Sequence, residues 1–385
     1  MCPECWAVFI VLGFTAFTLA AAQAPGDSSA SSDVKLSVVY DGAAFANSKG
    51  GVSTGSTYTS NLNLQLDVDL AGLVGWPGTI VYLDGLWLQG GLPSTLVGDA
   101  QGVSNISAPN SLKLYEGWIQ KNFSHNQASV LAGLYDLNSE FYRLQSAGLF
   151  LNSSFGMGPE FSQSGVEGPS VFPDTALGVR IALKPVEDIV IRTAVLDGVP
   201  LDRANGSRGA FESGDGLLIV TEAAFLDRPE LEGRPSRQRF RIGRQAMLGG
   251  YDTKFAIGGW YYTAAFEDLS DTQADGQPVR HRGSGGWYAL LDRLLYKNSE
   301  HPEQRLTGFL QAGFGDNRVN RFGSYLGGGL TVTGFFEART ADEIGFGLAY
   351  ARNGSHYARA QTAQGAPVDN AEQVDFQGPT PVRDG

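Results

Sequence analysis

The chain has 385 residues, 51 of them Gly, roughly twice the usual ~7 %, while charged residues make up only 18 % against a typical ~25 %. Past residue 22 no apolar run approaches the ~20 residues of a spanning helix, which excludes a helical membrane protein. The 22 Phe, 14 Tyr and 6 Trp exclude disorder, and a net charge of −12 argues against a nucleic-acid partner. What remains is a large all-β soluble protein or a β-barrel in lipid.

Residues 1–22 read as a signal peptide. The stretch from residue 6 to 22 (WAVFIVLGFTAFTLAAA) is apolar and ends in Ala20, Ala21 and Ala22, a small-residue cleavage site before Gln23. The leading residues carry no Lys or Arg, a departure from the usual pattern. Cys2 and Cys5 share redox or zinc spacing, but both precede the apolar stretch and no second Cys pair exists. The exported chain is then free of cysteine. Residues 23–33 form a short lead, and a β-barrel is expected over 34–352.

The clearest strand is residues 58–70. Tyr58, Leu62, Leu64, Leu66, Val68 and Leu70 fall on one face, and Thr59, Asn61, Asn63, Gln65, Asp67 and Asp69 on the other. Thirteen residues at ~3.3 Å, tilted ~45°, rise about the thickness of a bilayer core, whereas soluble strands usually have ~5–6 residues. Similar segments begin near residues 34, 79, 111, 128, 175, 188, 216, 237 or 254, 285, 305, 324 and 342, making about thirteen strands. Gly on the inner face is expected to leave room and permit curvature. Short turns (72–77, 122–127, 184–188, 296–304, 335–342) alternate with long loops (90–110, 136–174, 197–215, 266–286), as in transmembrane barrels. Residues 226–253 break that alternation.

Three segments carry a family resemblance: LAGLYDLNSEFYRLQSAGLFLNSSFGMGPEFSQSGVEGPSVFP with the following TALGVRI, GLPSTLVGDAQGVSNISAPNSLKLYEGW, and KFAIGGWYYTAAF. They resemble the carbohydrate-selective porin (OprB) family, from about residue 34 to 372. The resemblance implies a sixteen-stranded transmembrane antiparallel β-barrel of porin type in a Gram-negative outer membrane. Its solutes would be mono- or oligosaccharides such as glucose, and the long loop 136–174 would fold inward to narrow the pore. It implies no cofactor and no covalent chemistry. Outer-membrane lipid is the expected surround, and a homo-oligomer is compatible with the sequence. The alternative is a secreted all-β glycan-binding protein or glycoside-acting enzyme, which would bury Leu62, Leu64, Leu66 and Val68 against a second sheet.

Charged residues on inner faces are the candidates for pore lining and sugar contact: Asp67, Asp69, Arg180, Arg192 and Glu222. A lipid-facing Arg would cost ~2–4 kcal/mol at midplane. Glu140 and Arg143 on the longest loop are expected to reach into the pore. Arg239 and Arg241 share a face with Arg237 and are expected to draw anions or pair with acids. Asp67 and Asp69 also have the spacing of a carboxylate pair, but no partner acid marks them as catalytic. His125, His281, His301 and His356 are scattered singly in expected turns or loops, with no metal spacing. Residues 353–385 show no alternating run. An irregular tail is expected there, from a truncated or frameshifted gene, with a gap in the barrel beside the first strand.

Overall fold

The computed structural model describes residues 9–20, 33–201, 209–227, 251–336, 339–340 and 342–381. They form one antiparallel sheet of 15 strands in sequence order. The strands are β1 (Phe9–Ala20), β2 (Val34–Asn47), β3 (Gly55–Asp69), β4 (Thr79–Gly90) and β5 (Ser111–Phe123). Next come β6 (Ala128–Tyr135), β7 (Ala176–Val186), β8 (Ile189–Asp197), β9 (Leu217–Asp227) and β10 (Thr253–Thr272). The series closes with β11 (Pro278–Lys297), β12 (Arg305–Gly315), β13 (Phe322–Thr333), β14 (Asp342–Asn353) and β15 (Ala371–Pro381). Among the described residues four short α-helices lie between strands: α1 (Leu70–Val74), α2 (Ser94–Val97), α3 (Pro159–Ser162) and α4 (Ser355–Ala363). None is long and apolar enough to cross a membrane.

The apolar face points outward. Leu64 is 52 % exposed, and Leu36, Leu83, Val130, Val179, Ile181, Phe255, Ile257, Leu310, Leu326, Leu348 and Val374 continue an exposed band around the sheet. Their strand neighbours Asn63, Asp84, Ser129, Arg180, Lys254 and Gln311 are buried on the inner face. A soluble sandwich would invert this arrangement, so one sheet with an oily outside and a polar inside belongs in lipid. Aromatic side chains flank the band. Tyr58, Trp87, Tyr261, Trp287 and Phe314 are exposed toward the long-loop end, and Trp76, Phe123, Tyr296 and Phe335 toward the short-turn end. Such girdles suit the two membrane interfaces, where a ring meets both oil and water.

The thirteen strands expected from alternation correspond to β2 through β14, with three differences at other points. Phe9–Ala20, inside the stretch read as a leader, runs antiparallel to β2 (Phe9 opposite Asn47). An apolar run next to an open edge satisfies that edge's backbone groups. Residues 266–286 are mostly strand rather than loop: β10 and β11 each run 20 residues and leave only 273–277 between them. The tail is not irregular throughout, because α4 is followed by β15, whose Phe376 pairs opposite Phe346 of β14. The signal missed there is short: Val374 and Phe376 point outward while Gln373, Asp375 and Gln377 alternate with them. The sheet's end strands are β1 and β15, and no ladder joins them among the described residues, in keeping with the gap expected beside the first strand.

Two loops bridge the interior. Val103 of the loop after β4 packs on Ala43 and Phe45 of β2, with Ile106 and Leu151 beside them. From the same loop, Gln101 Nε2 donates to the Ala371 carbonyl of β15 (2.7 Å). Loop 136–174 supplies Leu137, Phe141, Tyr142, Leu144, Phe150, Phe155, Met157 and Phe161 to the main core, against Trp260, Tyr288, Phe309 and Tyr325 of the wall. Inner-face glycines make that approach feasible. A Cβ on Gly313 would collide with Glu160 Oε1, and one on Gly347 would stand 2.8 Å from Phe155 Cζ.

Candidate functional site

Loop 136–174 crosses the lumen because buried polar groups of the wall hold its backbone and its few charges. Alternation turns Arg180 inward between lipid-facing Val179 and Ile181. Its guanidinium grips Glu140 with two hydrogen bonds (Nε to Oε2 2.7 Å, Nη2 to Oε1 3.1 Å). It also donates to Ser129 Oγ (2.6 Å) and Gln120 Oε1 (2.7 Å), while the Tyr135 hydroxyl donates to Glu140 (2.5 Å). Burial opposes ionisation of Glu140, but the charges of Arg180 and Arg192 and the hydrogen bonds outweigh it and hold the carboxyl below its usual range.

Two strands further, on β9, Glu222 accepts from the Tyr142 backbone N–H (2.9 Å) and the Tyr288 hydroxyl (2.8 Å). Its other oxygen faces Lys254 Nζ (3.5 Å) and Arg192 Nη1 (3.7 Å). Lys254 donates to the Arg143 carbonyl (2.7 Å). Arg192 Nε and Nη1 are buried without a hydrogen bond. On β11, Asp292 receives the backbone N–H groups of Gln145 and Ser146 (3.0 Å each), the Ser146 hydroxyl (2.7 Å) and the Tyr251 hydroxyl (2.9 Å). Phe161 stacks on Trp260 (4.2 Å between centroids) and Tyr142 lies on Tyr288 (4.4 Å). Beside them Glu160 of α3 accepts from the Tyr142 hydroxyl (2.9 Å), and burial pushes its carboxyl up to about 7.

Half-exposed inner groups remain on the wall: Lys35, Gln65 and Asp67 on β2 and β3, away from the loop, and Glu343 and Asp375 on β14 and β15, where Phe150 and Phe155 of the loop pack against Gly345 and Gly347. Between these regions Tyr82 stacks on Trp118 (5.1 Å), with Tyr82 bonded to Asp84 and Trp118 to Glu116 (3.3 Å each).

The structure thus brings Glu140, Arg143, Arg180, Arg192 and Glu222 into one network and sets Asp67 apart on the open wall. Asp69 is at the far end of β3 and caps α1, accepting from the Ala71 N–H (2.9 Å), so it serves the turn rather than the lumen. Arg239 and Arg241 lie outside the described residues. Lys254 was legible from the alternation of Phe255 and Ile257 around it; Asp292 was not, because Leu290 and Leu291 precede it on both faces. The histidines also differ from expectation: His281 is on β11 and His356 on α4, and both contact Asp268.

A lipid-facing sheet with a polar, loop-narrowed interior defines an outer-membrane diffusion channel of the porin class. Residues 53–376 match the carbohydrate-selective porin, OprB family, and the chain belongs to that family. Over 338 residues it is 25 % identical to Porin B of Pseudomonas aeruginosa strain PAO1, covering 82 % of this chain and 69 % of that protein. Its fold is similar to the high-pH structure of Pseudomonas putida OprB (TM-score 0.72, 17 % identity, 87 % of this chain and 80 % of that one).

Proposed function

We propose that this chain forms a passive outer-membrane pore for small uncharged sugars of the glucose type, without catalytic chemistry. The reading is carried by the inner wall around loop 136–174, where buried charges lie beside aromatic faces. Hydroxyl-rich solutes exchange hydrogen bonds with guanidinium and carboxylate groups and lay their apolar ring faces on aromatic rings. Half-exposed Arg143 on one side and Gln65 and Asp67 on the other are the proposed sugar-contact groups, while buried Arg192, Glu222 and Asp84 hold the wall behind them. Glu140 and Arg180 saturate one another and act as the brace that sets the width. Glucose specificity, like release of residues 1–22 on export, belongs to this proposal.

Liposome swelling tests it. Vesicles containing the protein should admit glucose faster than uncharged polyols of equal size, and Arg143→Ala should reduce that preference while leaving small-polyol entry intact. Rates that scale with solute size alone would overturn the sugar reading.

A further inference from the structure

Two segments far apart in sequence, the β10–β11 hairpin and α4, converge at the long-loop end of the barrel. Asp268 of β10 is nearly fully buried, and its Oδ1 lies 2.8 Å from His356 Nδ1 of α4. Its Oδ2 lies 2.8 Å from His281 Nε2 of β11. Ser270 and Asp271 close an Asx-type turn on the same carboxylate through their backbone N–H groups (2.9 and 2.8 Å), which swings Asp271 alongside His356. Ligating atoms of Asp268, Asp271 and His356 all lie within 4.8 Å of one another. Donors around a tetrahedral ion at ~2.1 Å are about 3.4 Å apart, so small side-chain rotations bring this set onto a single ion.

We propose that Asp268, Asp271 and His356 form a site for a divalent transition metal of the zinc type, with His281 holding the back of the Asp268 carboxylate. An imidazole with two carboxylates selects a borderline ion over Ca²⁺ or Mg²⁺, which take oxygen ligands. A partner behind a metal-bound carboxylate fixes its orientation, the task the His281 contact performs. Two cations flank the site. Arg359 pairs with Asp271 at 3.4 Å on the surface, a contact of little energy that a metal displaces, and Arg318 is held by Asp316 (2.7 Å). The ion would staple α4, the segment leading into β15, to the β10–β11 hairpin. Because imidazole must lose its proton to bind, the staple would weaken in acid.

Zinc titration of the folded full chain in detergent, followed by calorimetry at pH 7.5 and pH 5, is the test. One Zn²⁺ per chain is expected at pH 7.5, with at least tenfold weaker binding in His356→Ala and in Asp271→Asn and a smaller loss in His281→Ala. Asp271 is exposed, so its variant folds even where a His356 variant does not. His301→Ala, at the opposite end beside Glu303, should bind as the parent does. No saturable binding, affinity unchanged in Asp271→Asn, loss in His301→Ala alone, or equal binding at pH 5 would each overturn the site.

Discussion

Arg180 shows how one inward position sets the geometry of the lumen. The same period-two pattern that sends Val179 and Ile181 into lipid sends its charge inside, where Glu140 meets it two-pronged. Glu140→Ala should destabilise the protein by about 3–5 kcal/mol, because it strands a buried guanidinium, and Glu140→Gln with Arg180→Met should recover most of the loss. Thermal unfolding, read by heat-dependent gel migration, distinguishes the two. Glu160 behaves in the opposite sense. Its carboxyl is raised from 4.5 to about 7 by burial, so the fold favours the neutral acid. The stabilisation is complete below about pH 4.5 and is lost as pH rises through 7, on the order of 3 kcal/mol. Loop anchoring should therefore loosen between pH 4.5 and 7 in the parent and stay level in Glu160→Gln. A parent protein equally heat-stable at pH 5 and pH 8 would contradict this assignment. The role of Arg180 was legible because apolar neighbours flank it. That of Glu160 was not, since loop residues have no period to betray which way they point.

At the scale of elements, the strands were readable and the loops were not. β3 declared both its faces in sequence, and the structure has Leu64 outside and Asn63 inside against Asp84. Leu64→Arg should impair assembly, since a cation near midplane costs ~2–4 kcal/mol, whereas Asn63→Arg should insert normally and change conductance. Comparison of membrane-inserted yields checks the assignment, and equal yields would contradict it. The extension of β10 and β11 beyond the band was hidden because the acidic cluster Glu267, Asp268 and Asp271 resembles a loop once a strand leaves lipid. β15 was hidden by having only two outward apolar residues between polar ones. Loop 136–174 was recognisable by its sequence yet not by its contacts, which depend on strands more than 100 residues away. The Phe161–Trp260 stack is worth about 0.5–1.5 kcal/mol. Trp260→Ala should free the loop's far half and raise single-channel conductance and its noise.

The described strands form a single sheet whose two surfaces have opposite solvents. That contrast explains an acidic, Gly-rich chain of modest hydropathy that still belongs in a membrane: half of each strand is oily, the other half is wet. The half-exposed inner acids Asp67, Glu343 and Asp375 outnumber Lys35 on the inner wall. Small-ion leakage should therefore prefer cations mildly, and a zero-current potential of the opposite sign would move the narrowest point to Arg143 and Arg192. The central claim, a water-filled path that sugars occupy on the way through, is tested most directly by conductance in planar bilayers during titration with glucose. Ion current should fall saturably as glucose is added and respond little to an uncharged polyol of the same size. Open channels whose current falls equally with both solutes would contradict it.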